Sequence, residues 1–165
     1  MSDLILGVDP GSRKAGFGVV SFSGGRLTYI TSGCIRMADA DLSVRLVELY
    51  EGIQKIIMTY QPHRAVIEDV FMGGNWRSAL TLGQARGVLM LAAGQSHVTV
   101  SAMSPRAVKK AVTGSGAASK GQVSEMVVRL LGLGASPQED AADALALAIA
   151  GAHVLQVCPL NKKSQ

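Results

Sequence analysis

The sequence predicts an α/β domain built on a mixed β-sheet, and three observations carry the prediction. An apolar run of Leu4, Ile5, Leu6 and Val8 ends in a single carboxylate, Asp9, and Pro10-Gly11 stops it at once. Two more β-type runs follow, joined by Gly24-Gly25, which reads as a tight hairpin. A long stretch of helical periodicity then leads into a second short buried run over 64–69, again ending in acids. Hairpin partners are antiparallel, whereas a strand reached through a helix lies parallel to a neighbour in its sheet, so both kinds of pairing are required.

In order, the first three strands span 4–9, 15–22 and 26–36. From Asp41 onward, Leu42, Leu46, Leu49, Ile53, Ile56, Ile57 and Tyr60 recur at spacings of three and four. They form one apolar stripe of a long helix, which Pro62 closes. After the fourth strand, a loop with Gly73-Gly74 leads to a second helix over about 75–95. Its later part, VLMLAAG, is apolar nearly all round and needs cover on two sides. One side is the sheet; the other is either a second subunit or the rest of the same domain, and Gly83, Gly87 and Gly94 permit close approach. The fifth strand is 98–101. Ser104-Pro105 then caps a short helix carrying Arg106, Lys109 and Lys110. TGSGAAS over 113–119 reads as a flexible loop. A helix over 120–131 follows, ended by Gly132 and Gly134. Ser136-Pro137-Gln138-Glu139 has the form of a capping box with proline in the first turn. It opens a last helix, to about 154, that carries Asp140 and Asp143. The reading is one domain over 1–154 with a short frayed tail over 155–165 and no internal repeats.

Composition bounds the function. A chain of 165 residues with 48% hydrophobic and 17% charged residues is globular and long enough for a real core. The net charge of +4 permits a polyanionic partner. Two cysteines, Cys34 and Cys158, are too few for a disulfide scaffold and read as free thiols of a reducing, cytoplasmic compartment. The start of the chain lacks a basic region followed by a long apolar core, so no signal peptide is expected. Asp, Arg, Gln or His interrupts each apolar stretch before it reaches transmembrane length.

Four acids carry the chemistry. A buried carboxylate needs a partner, so Asp9 either organises its Pro-Gly turn or faces a metal, a cation or donor groups. If the first and fourth strands are parallel neighbours, Asp9 and Glu68 emerge side by side. Asp140 and Asp143, an i, i+3 pair, share one helix face, where the helix N-terminus offsets part of their repulsion. The alanines around them let that helix lie close to the sheet. Four carboxylates together cannot all ionise without cations, and an all-oxygen set with no His or Cys favours Mg²⁺ or Mn²⁺. Two such ions about 4 Å apart would clamp the attacking water and the leaving oxygen of a phosphodiester.

The motifs GVDPGSRKAGFGVV, SGCIR, AVIEDVF, SALTLGQARG, VKKAVTGSGAASKGQV and DAADALALA together resemble the RuvC-type crossover-junction endodeoxyribonucleases, which resolve four-way (Holliday) junctions. The resemblance covers about residues 3–154. It implies a ribonuclease H-like fold: a five-stranded mixed sheet, the first three strands antiparallel, with helices on both faces. It implies Asp9, Glu68, Asp140 and Asp143 as catalytic acids and ligands of two Mg²⁺ ions. It also implies Lys109 and Lys120 as phosphate contacts and Phe71 as an aromatic that stacks on bases near the crossover. The implied protein is a homodimer that works with the RuvA–RuvB branch-migration complex in recombination and repair. Such dimers nick two opposed strands symmetrically and leave ligatable 5′-phosphate ends.

Asp69 departs from relatives that carry an uncharged polar residue there. It should point away from the site, because strand neighbours face opposite sides. The segment around Trp76 is less like the family, and Trp76 either stacks on DNA or packs. His63, His97 and His153 read as structural. The tail offers only Lys162 and Lys163 for DNA. A ribonuclease of RNA–DNA hybrids shares the chemistry and is separated from this reading by its substrate. An actin-like or sugar-kinase ATPase shares the Asp9-x-Gly11 pattern but needs a second such domain. A catalytically silent junction-binding module is disfavoured by the complete acid set.

Overall fold

The structure is a computed structural model that describes residues 2–69 and 75–157. Three strands come first, β1 (Asp3–Asp9), β2 (Lys14–Ser23) and β3 (Arg26–Arg36), then α1 (Leu42–Tyr60) and β4 (Arg64–Glu68). There follow α2 (Trp76–Gln95), β5 (Thr99–Met103), α3 (Pro105–Thr113), α4 (Lys120–Leu131) and α5 (Glu139–Val157). The strands form one sheet in the order β3-β2-β1-β4-β5. β2 pairs antiparallel with β1 and β3, while β4 lies parallel to both β1 and β5. The mixed sheet expected from the sequence is therefore present. Gly24 and Gly25, both with positive φ, make the two-residue turn of the β2–β3 hairpin.

Period-two alternation assigns each strand residue a face. Leu6, Val8, Ala15, Val19, Ala65 and Ile67 pack under α1 and α2. Ile5, Val20 and Val66 pack under α3, α4 and α5. Asp9 has the parity of Ile5 and Glu68 that of Val66, so both carboxylates belong to the α5 face.

α5 lies unusually close to that face because glycines line its bed. A Cβ added to Gly7 would stand 2.0 Å from the Ala144 carbonyl oxygen, and one on Gly16 would stand 2.0 Å from that of Asp140. The alanines of α5 complete the fit: residues 144–150 are all essentially buried.

Among the described residues, α2 has no second cover. Leu80 and Leu91 are 57% and 55% exposed, and Cβ atoms added to Gly83, Gly87 or Gly94 would meet nothing within 4 Å.

Several local expectations need correction. The fifth strand runs two residues further than expected, since its parallel pairing continues to Glu68 opposite Met103. The 113–119 segment is an organised turn rather than a flexible loop. Thr113 and Ser115 hydroxyls bond the backbone of Ser115 and Ala117, and Ala118 is buried. The last helix starts only at Glu139, so Ser136 is no cap; its hydroxyl pairs instead with that of Ser124, 2.9 Å away on α4. A true capping box stands at Ser119, whose side chain and backbone exchange hydrogen bonds with Gln122. α5 continues to Val157, past the expected end at 154. The rest of the expected tail lies outside the described residues.

Candidate active site

The site is built where β1 and β4 end side by side. Val8 is in register with Ile67, so the next residues, Asp9 and Glu68, leave the sheet together at one edge. α5 crosses above β1 and β2, and its first turns bring in Asp140 and Asp143. Asp9, Glu68 and Asp143 line one cleft of about 350 Å³ with Lys109 and Lys120, floored by Val108, Val123 and Ala146. The first residues of α3 and α4, Pro105 and Lys120, also line it. Helix N-termini directed at a cleft favour an anionic ligand there, such as a phosphate. Larger hollows of about 540 and 420 Å³ lie beside α4 and beside β3, but neither gathers acids.

The electrostatics report the crowding of like charges. Burial, then the charges of Glu68, Asp143 and Asp140, push the Asp9 carboxyl up to about 7. Burial and Asp143 push Glu68 upward as well. The protein supplies its own cations at the other two acids. Lys14 forms an ion pair with Asp140. Lys120 reaches Glu139 Oε1 at 2.8 Å and Asp143 Oδ2 at 3.4 Å. These carboxylates raise the Lys120 ammonium above its ordinary value, and Lys120 lowers Glu139 in return.

The donor set suits a hard divalent cation: carboxylates only, with a surplus of negative charge that holds a proton on Asp9. As the side chains stand, no three such groups among the described residues converge on one point. Asp9 and Glu68 share a side-chain hydrogen bond, while Lys14 and Lys120 pair with Asp140 and Asp143.

Of the residues singled out in the sequence, Asp9, Glu68, Asp143, Lys109 and Lys120 meet in the cleft. Asp140 sits at its margin, beside Gly16 and tied to Lys14. Phe71 lies outside the described residues. Asp69 turns to the opposite face, where its carboxylate accepts from Arg86 of α2 at 3.0 Å. Arg86 also donates to the Glu68 carbonyl at 3.3 Å and so braces the end of β4. His63 accepts from the Leu4 backbone and His153 bonds the Ala111 carbonyl, both structural contacts. His97 takes a left-handed turn just before β5.

Sequence reasoning missed Lys14, Arg86 and Glu139. The first had a readable signal: Lys14 lies two residues before Gly16 and hence on the face that carries Asp9. Cys34 is part of the same margin, its thiol 3.8 Å from Gln138 and 4.0 Å from Asp140, and burial pushes it upward.

A mixed five-stranded sheet with helices on both faces and acids gathered at the ends of its first and fourth strands defines a ribonuclease H-like nuclease. The family model of the crossover junction endodeoxyribonuclease RuvC matches residues 5–151. The crossover junction endodeoxyribonuclease RuvC of Legionella pneumophila (strain Corby) is 49% identical over 152 residues, covering 92% of this chain and 87% of its own. That of Histophilus somni (strain 129Pt) is 53% identical over 150 residues, covering 91% and 79%. The structure superposes on Thermus thermophilus RuvC in complex with a Holliday junction substrate with a TM-score of 0.89 and 28% identity, over 94% of this chain and 96% of that one. The yeast mitochondrial Holliday junction resolvase Ydc2, 12% identical with a TM-score of 0.65 over 90% and 78%, shares the fold. The chain belongs to the RuvC family of crossover junction endodeoxyribonucleases. It is an endonuclease of DNA recombination and repair, and membership implies use of a divalent metal. No helix among the described residues is long and apolar enough to cross a membrane.

Proposed function

We propose that this chain resolves four-way DNA junctions, with Asp9, Glu68, Asp140 and Asp143 as its catalytic acids. One observation carries the assignment. Acids from two parallel strand ends and from α5 share a lysine-lined cleft, where burial and then the neighbouring acids raise Asp9 to about 7. The four carboxylates would hold two Mg²⁺ ions, with Mn²⁺ as a substitute. The chemistry such ions supply is activation of a water on one side of the scissile phosphate and stabilisation of the leaving 3′ oxygen on the other. Lys109 and Lys120 meet the phosphate and oppose the charge that grows on it. Lys120 exchanges Asp143 for the phosphate as the substrate enters, and Lys14 likewise releases Asp140.

Phe71, beyond the end of β4, stacks on bases near the crossover. The active species is a homodimer, nicking two opposed strands symmetrically and leaving ligatable 5′-phosphate ends. The uncovered face of α2, with its open glycines and exposed leucines, supports self-association there. The nuclease domain is residues 1–154, the compartment is the cytoplasm, and RuvA–RuvB is the motor that presents the junction.

The test is incubation with a mobile synthetic junction, with and without Mg²⁺, beside linear duplex and RNA–DNA hybrid. Paired, ligatable nicks in the junction alone are expected. Asp9→Asn should lose cleavage by roughly a thousandfold or more while keeping junction binding. Equal loss of binding and cleavage would remove Asp9 from the chemistry and leave it a scaffold residue.

A further inference from the structure

Trp76 has no part in the cleft or in the core. It is the first residue of α2 and is 66% exposed, a large aromatic surface of the kind enriched at interfaces. The Arg77 guanidinium lies over its ring, 5.3 Å from the centroid. The exposure leaves the opposite ring face open.

The position is held firmly. The Asn75 side chain caps α2 by accepting from the Arg77 and Ser78 backbone N–H groups at 3.1 and 3.3 Å. It is also well placed for substrate. β4 ends at Glu68 on the cleft edge. α2 passes that edge at Arg86 and runs on to the start of β5, so Trp76, earlier in the helix, stands beyond the sheet end that carries the acids, on the α2 side. The charge there is positive: the first turn of α2 holds Arg77 and no acid, and the helix N-terminus adds to it. A nucleic-acid strand offers both a π-face for the indole and phosphates for the arginine.

We propose that Trp76 and Arg77 form a base-stacking platform for the junction. A nucleotide unstacked near the crossover lies on the free face of the indole, and Arg77 turns its outer N–H groups to a neighbouring phosphate. The inference rests on the four-way junction being the substrate.

Trp76 is the only tryptophan of the chain, so intrinsic fluorescence reports on it alone. Titration with a four-way junction in EDTA, where no cutting occurs, should quench the emission in parallel with the anisotropy of a labelled junction. Trp76→Ala should weaken junction binding by about five- to 150-fold and Trp76→Phe by only a few-fold, with sedimentation unchanged. Normal junction binding with silent fluorescence and unimpaired Trp76→Ala overturns the platform alone. Emission that follows protein concentration without DNA, with a Trp76→Ala protein that sediments as a monomer, assigns the residue to the contact between copies and also overturns it. A labelled junction that fails to bind wild-type protein overturns the functional reading, and the platform with it.

Discussion

α5 and the later part of α2 are both apolar nearly all round, yet they end in opposite situations. α5 is sealed over residues 144–150, between the glycine-lined strands and the helices α3 and α4. α2 covers the other face of the sheet and leaves Leu80 and Leu91 in solvent. The glycines tell the same story. Gly7 and Gly16 are small because a helix backbone occupies the place of their side chains. Gly83, Gly87 and Gly94 face open space. A helix without an amphipathic stripe must find two covers, but the helix itself does not say whether both lie in its own chain. The sealed face is where the acids are held, and the open face is where a second copy is proposed to dock. Close packing and chemistry go together here, since only a helix pressed onto β1 and β2 brings Asp140 and Asp143 above Asp9.

The hardest test of this contrast is Gly7→Ala. Its new Cβ would stand 2.0 Å from backbone, which cannot rotate away. The expected cost is about 3 kcal/mol or more, read by denaturant unfolding. A variant within about 1 kcal/mol of wild type would show that α5 can lift and that the bed is not tight.

The second test concerns the charge stored on the sealed face. The Asp9 carboxyl titrates at about 7 in the folded chain against 3.8 as a free side chain. The native state therefore holds a proton that the unfolded state has already released. The stability that Asp9 contributes to the metal-free protein is fully present below pH 4 and is lost as pH rises towards 7. Melting temperature measured in EDTA from about pH 4.5 to 8 should decline over this window. Asp9→Asn should flatten the decline, and Mg²⁺ should restore the wild-type protein at the upper end. A flat wild-type profile would mean that neither burial nor the neighbouring acids raise Asp9.

The smallest effect on the fold is expected on the open face. Leu80→Asp should change subunit stability by less than about 0.5 kcal/mol, because the side chain is already in solvent. Association between copies, measured by sedimentation equilibrium, should weaken by roughly tenfold or more. Unchanged association would place the contact elsewhere and leave α2 an exposed surface.

Much of this could be read in advance. Strand and helix order followed from period-two and period-three-to-four patterns and from Pro-Gly punctuation. The pairing of Asp9 with Glu68 followed from one parallel connection. Parity sent Asp69 away from the site, and Arg86 receives it there. Local signals misled at Ser136, which matches a capping pattern but spends its hydroxyl on Ser124. They misled again at 113–119, where small polar residues suggested freedom and instead bond their own backbone.

The sequence by itself determined the elements, the faces of the strands and the four acids, because alternation, capping and the cost of a lone carboxylate are properties of neighbouring residues. Tertiary structure alone decided which charges meet. Lys14 and Asp140 are 126 positions apart, and Lys120 and Asp143 are 23 apart. The first pair exists because the glycines of β1 and β2 admit α5 to within backbone contact, the second because α4 packs beside α5, and no local pattern encodes the distance between two elements that touch only after folding.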